Sequence, residues 1–312
     1  MSEINQMPDA GLIEDRSYSQ GQLIRRRFFR HRAAITALII FAGVALLAYT
    51  SIGFGPVPGW WDKNYTATYP KIGNGEPTLS LTTFSIGEHP FGQDTIGKDY
   101  FALVMRGIQR SLMIAFGIGL ISTFIGTLVG VLAGYYRGWI ESVLMRLTDF
   151  VIVVPTLVFA AVLGQMVGGV LGLTVVLPLV LWTGLARLVR GEVLSLRERE
   201  YVMAARAAGA SDLRIIFRHI LPGTVGVIVV AITLAIGAAI LLESTLSFLG
   251  FGVPPTDTSL GLLISEYQNA FTTRSWLFWF PGLAILTIVL SVNFIGDGLR
   301  DAFDPRQTRS KD

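Results

Sequence analysis

The sequence contains no cysteine and only three histidines among its 312 residues. The absence of thiols excludes disulfide bridges, thiolate metal sites and a cysteine nucleophile. His31, His89 and His219 lie far apart, and none has a metal-ligand neighbour at helical spacing, so we predict no metal site. The sequence also lacks the GxxxxGK[ST], GxSxG and HExxH motifs. We therefore expect no catalytic residue, no ATP site and no cofactor in this chain.

Charged residues are scarce as well, at 15% of the chain, whereas 52% of the residues are hydrophobic. Soluble domains are about a quarter charged. The mean hydropathy of +0.57 also shows that the chain is strongly apolar. This composition argues against a soluble globular protein, a disordered chain and a nucleic-acid binder. It favours a membrane protein with several spans.

Long uncharged runs predict six membrane-spanning helices, because one helix needs about 20 apolar residues to cross the bilayer core. The run 150–186 is too long for one span, and its glycines predict two helices that meet in a tight turn near Gly168. None of the runs alternates as the strands of a membrane barrel would. We therefore predict an all-α membrane protein. The spans lie at 33–54, 111–136, 150–186 (two helices), 223–248 and 275–296.

The distribution of basic residues predicts that both termini are cytoplasmic. Nineteen of the 25 lysine and arginine residues then fall in cytoplasmic segments and six fall outside, as the positive-inside rule requires. The basic cluster at 25–32 contributes most, and it could also bind anionic lipid headgroups. The predicted organisation is a cytoplasmic tail at 1–32, a first span at 33–54, an extracytoplasmic segment at 55–110, a five-helix core at 111–298 that includes a cytoplasmic loop at 187–222, and a cytoplasmic tail at 299–312.

The cytoplasmic loop 187–222 is patterned like a helix–turn–helix. Residues 200–208 contain strong helix formers with many alanines, and Gly209 is well placed to end that helix in the left-handed conformation. Ser211 can cap a second short helix with Asp212 in its first turn, and Pro222 suits the first turn of the next span. Periodicity alone leaves a solvated loop slightly favoured over a surface that docks into another protein.

The same loop resembles the EAA loop of ABC importer permeases. The resemblance rests on Ala204-Ala205, on Gly209 after three further residues, and on Leu221-Pro222, although Met203 occupies the usual acidic position of that signature. In that family the loop forms coupling helices that sit in a cleft of the ATPase subunit. The resemblance therefore implies that an ATPase contacts this loop through Glu200, Met203, Ala204, Ala205, Ala208, Gly209, Ala210, Ser211, Asp212 and Leu213.

Three further stretches narrow the resemblance to the C-type subunit of oligopeptide and dipeptide permeases. They read HPFGQDTIGKD at 89–99, ESTLSFLGFG at 243–252 and NFIGDGLRDAFDPR at 293–306. The family usually has Trp before the glycine that follows the second motif, where this chain has Leu260. The resemblance implies the type I importer fold, a second (B-type) permease, two ATPase subunits that bind ATP and Mg²⁺, and an external solute-binding protein. It also implies di- or oligopeptide import by alternating access.

Several residues keep two interpretations. Glu243 lies in a predicted span, so Glu243, Ser244 and Ser247 either line a translocation path or gate, or stabilise the structure. Asp94 and Asp99 are expected to cap local turns, with contact to a docking protein as the lesser possibility. Gly126, Gly130 and Gly134 predict close helix packing, within the chain or against the partner permease.

Two alternatives to peptide import remain at this stage. The same family branch includes permeases for nickel and other small solutes, and the lack of histidine or cysteine in the spans does not decide between them. A stand-alone channel or secondary carrier is the alternative from another class. It predicts internal repeats that the sequence does not show, and it leaves the Ala204–Gly209 loop without a role.

Overall fold

A computed structural model describes residues 20–80, 85–167 and 169–304. Within these ranges the chain is mostly helical, with one hairpin of two-residue strands, three isolated β-bridges and connecting loops. Short 3₁₀ turns lie at Gly73–Gly75 and Gln268–Ala270, and a π-helical turn lies at Ile216–Ile220. The elements are α1 Gln20–Arg30, α2 Arg32–Ser51, β1 Gly53–Phe54, β2 Val57–Pro58, α3 Tyr100–Tyr136, α4 Gly138–Val153, α5 Thr156–Val167, α6 Gly169–Val176, α7 Pro178–Arg197, α8 Glu200–Ala207, α9 Asp212–Ile215, α10 Leu221–Phe248, α11 Leu260–Tyr267 and α12 Trp276–Phe303.

Five helical stretches of the described chain are long and apolar enough to cross a membrane. A sixth candidate is the pair α4 and α5, which is bent by 85° at a short break. The all-helical membrane architecture predicted from the sequence is thus confirmed, and the described chain reaches the predicted six spans if the bent pair is counted as one. The five stretches are Arg32–Ser51, Tyr100–Tyr136, Gly169–Arg197, Asp212–Phe248 and Trp276–Phe303.

Helix α3 begins at Tyr100, well before the predicted start of its span at residue 111. Asp99 caps it, because the backbone N–H of Ala102 donates to Asp99 Oδ1 at 2.7 Å. The last part of the predicted segment 55–110 is therefore helical. Arg106 and Arg110 set the predicted boundary, yet both are accommodated in the helix because Asp257 pairs with them at 3.1 and 2.6 Å.

The bend between α4 and α5 lies at Val154 and Pro155, as expected for a proline that cannot donate a backbone hydrogen bond. Helix α4 covers the predicted cytoplasmic segment 137–149, which the sequence did not identify as a helix. Its acidic residues face α7: Arg190 Nε donates to Glu141 at 2.8 Å, and Arg187 pairs with Asp149. The turn was expected near Gly168, which lies outside the described ranges; α5 ends at Val167, and α6 begins at Gly169 with φ +68°.

Helix α3 packs most extensively against α7. Three glycines on α3 permit this contact, since a Cβ atom on Gly126, Gly130 or Gly134 would lie 2.7–2.8 Å from atoms of α7. The glycine stripe is therefore used for packing within this chain, the first of its two interpretations. A large hydrophobic core joins α3 to α10, α11 and α12.

The beginning of α1–α2 and the end of α12 lie together. His31 pairs with Asp301 at 3.4 Å, and Arg27 donates to the carbonyl of Asp304 at 3.0 Å. The start of α10 lies at the same end of the bundle, because a Cβ on Gly226 would lie 3.0 Å from the ring of Phe303. The amino-terminal helix, the carboxyl-terminal helix end and the loop that leads into α10 thus share one end of the molecule.

The segment between the hairpin and α3 covers the opposite end. Buried Asp99 bonds to His89 Nδ1 at 2.7 Å and to Trp61 Nε1 at 3.1 Å. Asp94 Oδ1 accepts the backbone N–H groups of Ile96 and Lys98 at 2.9 and 2.7 Å. The prediction that both aspartates cap local turns is confirmed.

Candidate coupling surface and buried polar network

The predicted helix–turn–helix is present between α7 and α10. Helix α8 ends in a Schellman motif: Gly209 N donates to Arg206 O at 3.0 Å, and Ala210 N donates to Ala205 O at 3.1 Å. Gly209 adopts the predicted left-handed conformation with φ +82°. This is a conformation that glycine adopts at no steric cost. The turn geometry therefore follows directly from the position of this residue.

The second half of this element differs in detail from the expectation. Ser211 occupies the N-cap position with extended backbone, but its side chain makes no capping hydrogen bond. Helix α9 continues through the π-helical turn into α10, so the predicted short helix is the first part of one long helix. Pro222 lies in the first turn of α10, as expected.

All ten residues predicted to contact an ATPase lie on the exposed side of this element. Ala205 and Ala210 are half-buried and the other eight are exposed. Met203 and Leu213 expose 49% and 64% of their surfaces, and Tyr201 and Phe217 are exposed as well. A Cβ on Gly209 would meet no atom within 4 Å. We call these exposed residues and their turn the α8–α9 surface.

Buried residues fix the α8–α9 surface to the bundle. Val202 of α8 and Ile215 of α9 are fully buried in a second hydrophobic cluster. That cluster also contains Val131 and Tyr135 of α3 and Val189 and Val193 of α7. The exposed surface is thus mounted on the packed pair α3 and α7.

A groove of about 880 Å³ adjoins the α8–α9 surface. It lies where the end of α7, α8 and the start of α10 meet. Its lining includes Glu198, Arg199, Glu200, Tyr201 and His219. The groove gives this end of the molecule a recess of mixed apolar and charged lining beside the α8–α9 surface.

The second predicted set of site residues lies elsewhere, between α3, α10 and the start of α11. Glu243 is fully buried and accepts hydrogen bonds from Ser111 at 3.0 Å and Ser247 at 2.8 Å. Ser247 also lies 3.3 Å from the hydroxyl of Ser259. These contacts satisfy the carboxylate inside one chain. The participation of Ser111 and Ser259 was not predicted, because isolated serines in apolar runs give no sequence signal.

Ser244 lies beside this network at a close helix crossing. A Cβ on Gly261 would lie 2.4 Å from Ser244 Cα. The Ser244 hydroxyl is buried without a hydrogen-bond partner among the described residues. The three residues predicted to line a path are therefore neighbours, but Glu243 and Ser247 are enclosed by protein rather than exposed.

Tyr135 is a contact residue that sequence reasoning missed. Its hydroxyl donates to Asp212 Oδ1 at 2.6 Å across 77 positions of sequence. Arg197 donates to its backbone carbonyl, and the guanidinium of Arg206 lies 5.6 Å from its ring centre. No local pattern could have paired residues so far apart. As for metals, no cluster of three potential ligands occurs within the described ranges.

Taken together, these features define a polytopic helical membrane protein that projects a structured, exposed helix–turn–helix from one end. Two family descriptions match the chain. "Binding-protein-dependent transport system inner membrane component" matches residues 126–309, and "N-terminal TM domain of oligopeptide transport permease C" matches residues 19–70. The first match covers more than half of the chain.

Individual relatives agree with these matches. A Brucella ovis protein assigned as a peptide permease is 37% identical over 293 residues, which is 92% of each chain. The oligopeptide transport system permease protein OppC of Mycobacterium tuberculosis is 35% identical over 292 residues, with 92% of this chain and 95% of that one covered. The chain therefore belongs to the family of binding-protein-dependent transport permeases. The resemblance seen in the sequence is confirmed.

Solved structures agree on the fold. The MetNI methionine ABC transporter, in inward-facing conformations, contains a chain that superposes with a TM-score of 0.54 at 19% identity. The superposition covers 65% of this chain and 97% of the other. The chain has the fold of an ABC importer permease. It is an inner-membrane transport component and not an enzyme.

Proposed function

We propose that this chain is one permease subunit of an ATP-driven importer for di- or oligopeptides. A second, B-type permease completes the pore, two ATPase subunits dock below, and an external binding protein delivers the peptide. ATP and Mg²⁺ bind to the ATPases, since this chain has no phosphate-binding loop. Relatives named as peptide and oligopeptide permeases support the peptide assignment.

The observation that best supports ATPase docking is the exposure of the α8–α9 surface. Large apolar groups exposed outside a span mark a protein contact more often than a solvated loop. Here Met203 and Leu213 flank a glycine turn that faces open space. The Schellman turn and the buried residues beneath it hold this surface in a fixed shape. A rigid projection of this kind suits a surface that transmits force.

The predicted orientation has both termini in the cytoplasm. In support, α1, the end of α12 and the α8–α9 surface share one end of the bundle. Five arginines lie in α1 and at the start of α2. Positive charge of this density favours the cytoplasmic side. ATP-driven closure of the ATPases would then move the α8–α9 surface and rock the helices that it contacts.

Gly209→Arg tests the docking surface. Arginine adds bulk to an exposed turn and strains a left-handed backbone by about 1–2 kcal/mol. Native membranes should yield wild type together with an ATPase and a second permease. The variant should keep the permease and lose the ATPase.

Gly250→Arg is the matched control. Gly250 also has φ +82° and open space around its Cβ position, but it follows α10 at the opposite end of the bundle. We expect Gly250→Arg to retain the ATPase. Loss of the ATPase in both variants would mean that strain, and not docking, explains the result. Retention in Gly209→Arg with continued transport would refute the role of this surface.

The substrate class has its own test. A strain that depends on an imported peptide for a required amino acid should grow with the wild-type gene and fail without it. If growth depends instead on added nickel or another small solute, the peptide assignment is wrong and import of that solute replaces it. The structural similarity to a methionine transporter supports the fold alone, so the growth test decides the substrate class.

A further inference from the structure

We propose that Tyr135 is a positioning residue that links the α8–α9 surface to α3, so that movement of the docked ATPase reaches the spans. The inference rests on the proposed function, because it assumes that an ATPase moves this surface. Its basis is the hydrogen bond from the Tyr135 hydroxyl to Asp212 Oδ1 at 2.6 Å. This bond joins the end of one span to the first residue after the exposed turn.

The position of Tyr135 suits such a link. The residue lies in the last turn of α3 and is 97% buried, with 3% of its surface exposed. Its ring belongs to the hydrophobic cluster that also holds Val202 and Ile215 on either side of the turn. A bond from this buried side chain to Asp212 therefore fixes the exposed turn with respect to α3.

Two arginines strengthen the connection from the other side. Arg197, at the end of α7, donates to the Tyr135 carbonyl, and its guanidinium lies 5.8 Å from the ring centre. Arg206 of α8 lies 5.6 Å from the same ring centre. One aromatic side chain thus contacts residues from α7, α8 and α9.

The path continues along the packed pair α3 and α7. Gly126, Gly130 and Gly134 let the two helices approach through backbone atoms over about two helical turns. Two helices in such close contact move as one body, because their side chains have no space to slide past each other. A displacement that enters at Tyr135 is therefore passed to the whole length of α3.

Hydrogen bonds to a carboxylate are charge-assisted and stronger than neutral ones. Loss of one such bond changes a two-state equilibrium by about tenfold. Tyr135→Phe removes only the hydroxyl and keeps the ring in its cluster. The expected defect is therefore poor transmission with intact assembly. The number of peptides imported per ATP hydrolysed should fall about tenfold, while the ATPase remains bound and active.

The experiment uses the complete transporter in proteoliposomes, with radiolabelled trialanine as substrate and ATP hydrolysis measured in the same sample. Tyr136→Phe is the matched control, because Tyr136 is adjacent, its ring centre lies 5.1 Å from that of Tyr135, and 38% of its surface is exposed. Asp212→Asn keeps an acceptor oxygen for Tyr135, whereas Asp212→Ala removes it. The import-to-hydrolysis ratio of Asp212→Asn should lie closer to wild type than that of Asp212→Ala. Tyr135→Phe combined with Asp212→Ala should be no worse than either change alone.

A second readout does not depend on the substrate. Because the chain has no cysteine, Leu120→Cys gives a single reporter on α3, with Leu120 58% exposed. The rate of its reaction with N-ethylmaleimide should change between the nucleotide-free and the ATP–vanadate-trapped transporter. Tyr135→Phe should abolish that change. If trialanine is not imported by wild type, the peptide assignment fails and this readout still tests the link.

Three results would overturn the inference. The first is that import and ATP hydrolysis fall in proportion in Tyr135→Phe, as expected from simple loss of folded complex. The second is that neither import nor ATP hydrolysis changes in Tyr135→Phe. The third is that Tyr136→Phe has the same effect as Tyr135→Phe. Failure of wild type to bind any ATPase would be a different result, since it would refute the proposed function itself.

Discussion

A buried carboxylate such as Glu243 stabilises a fold only while its partners remain in place. Ser111 and Ser247 satisfy its two oxygens, and Ser111 also accepts the backbone N–H of Leu260 at 3.3 Å. Glu243 and its serine partners together join three parts of the chain, α3, α10 and the start of α11. The geometry favours a structural role for Glu243, while its assignment to a translocation path stays a prediction.

Substitution of Glu243 separates the two roles. Glu243→Leu leaves the hydroxyls of Ser111 and Ser247 without their acceptor, which should cost about 2–4 kcal/mol of stability. Glu243→Gln keeps an acceptor oxygen and should cost about 1 kcal/mol. Thermal unfolding of the purified complex in detergent measures both.

Thr245→Val serves as a control for these substitutions, because Thr245 is exposed and its hydroxyl bonds only to Leu241 of its own helix. We expect little change in its unfolding temperature. Uptake should follow stability in the Glu243 variants. A Glu243→Gln protein with wild-type stability and no uptake would instead place Glu243 on the path.

The sequence predicted Glu243 and Ser247 but not the further partners Ser111 and Ser259, and the reason is physical. An acid in an apolar run is conspicuous because it is costly in a membrane. A serine in the same run is not, since it can bond to its own helix backbone. The contact of Tyr135 was not predicted for a related reason. Its partner Asp212 is distant in sequence, and only the packing of α3 against α7 brings the two residues together.

At the level of whole elements, the glycine stripe of α3 determines how closely α3 and α7 can approach. Gly130→Ala would place a Cβ 2.7 Å from Ala186 O and from Val189 Cβ, so the helices would have to separate. Overpacking of this kind costs about 1–3 kcal/mol. Gly184→Ala on α7 meets no atom within 4 Å and should instead gain up to about 1 kcal/mol from helix propensity.

Unfolding temperatures of the two alanine variants check this contrast. A drop for Gly130→Ala together with no drop for Gly184→Ala is the expected pair of results. Equal behaviour of the two would mean that α3 and α7 do not touch through Gly130. Loss of the second permease from Gly130→Ala at unchanged stability would point instead to the seam between subunits.

Element boundaries were less predictable than element types. Charge was used to end the spans, so Arg106 and Arg110 excluded the first turns of α3 although Asp257 neutralises part of their charge. Helix α4 was missed for the same reason. In the sequence, the charges of Glu141 and Asp149 suggested a loop, and only the structure shows that they pair with arginines of α7. By contrast, the turn at Gly209 was predictable because it depends on local backbone geometry alone.

Hydrogen bonds also hold the segment that covers the end opposite the α8–α9 surface. Tyr267 of α11 donates to Asp94 Oδ2 at 3.0 Å, and Arg274 donates to the Asp94 carbonyl at 3.2 Å. Burial, together with the negative charge of Asp94, raises the pKa of Tyr267 far above its usual value. The phenol therefore stays protonated and remains a donor. This fixes the covering segment on α11 as one unit with the bundle.

For the molecule as a whole, the two ends of the helix bundle differ in their charge and in the elements that form them. One end has the arginines of α1, the end of α12 and the exposed α8–α9 surface, and the other has the folded segment that ends at Asp99. The sequence predicted this division from charge alone. The contact of α1 with α12 could not be predicted, because the pairs that join them are separated by almost the whole chain.

The orientation of these ends in the membrane can be measured directly because the chain has no native cysteine. Ile96→Cys reports on the covering segment, where Ile96 is 60% exposed, and Leu213→Cys reports on the α8–α9 surface. Gly21→Cys reports on α1, where a Cβ meets no other atom within 4 Å. In spheroplasts, a membrane-impermeant maleimide should label only the first.

After permeabilisation, Leu213→Cys and Gly21→Cys should become labelled as well, because both lie at the end predicted to face the cytoplasm. Labelling of Leu213→Cys in intact spheroplasts would invert the proposed topology and place the α8–α9 surface out of reach of an ATPase. Labelling of Gly21→Cys alone from outside would contradict the 3.4 Å contact of His31 with Asp301, which holds α1 and the end of α12 at one face. Since each substitution replaces an exposed or open position, failure to fold is not expected to obscure the result.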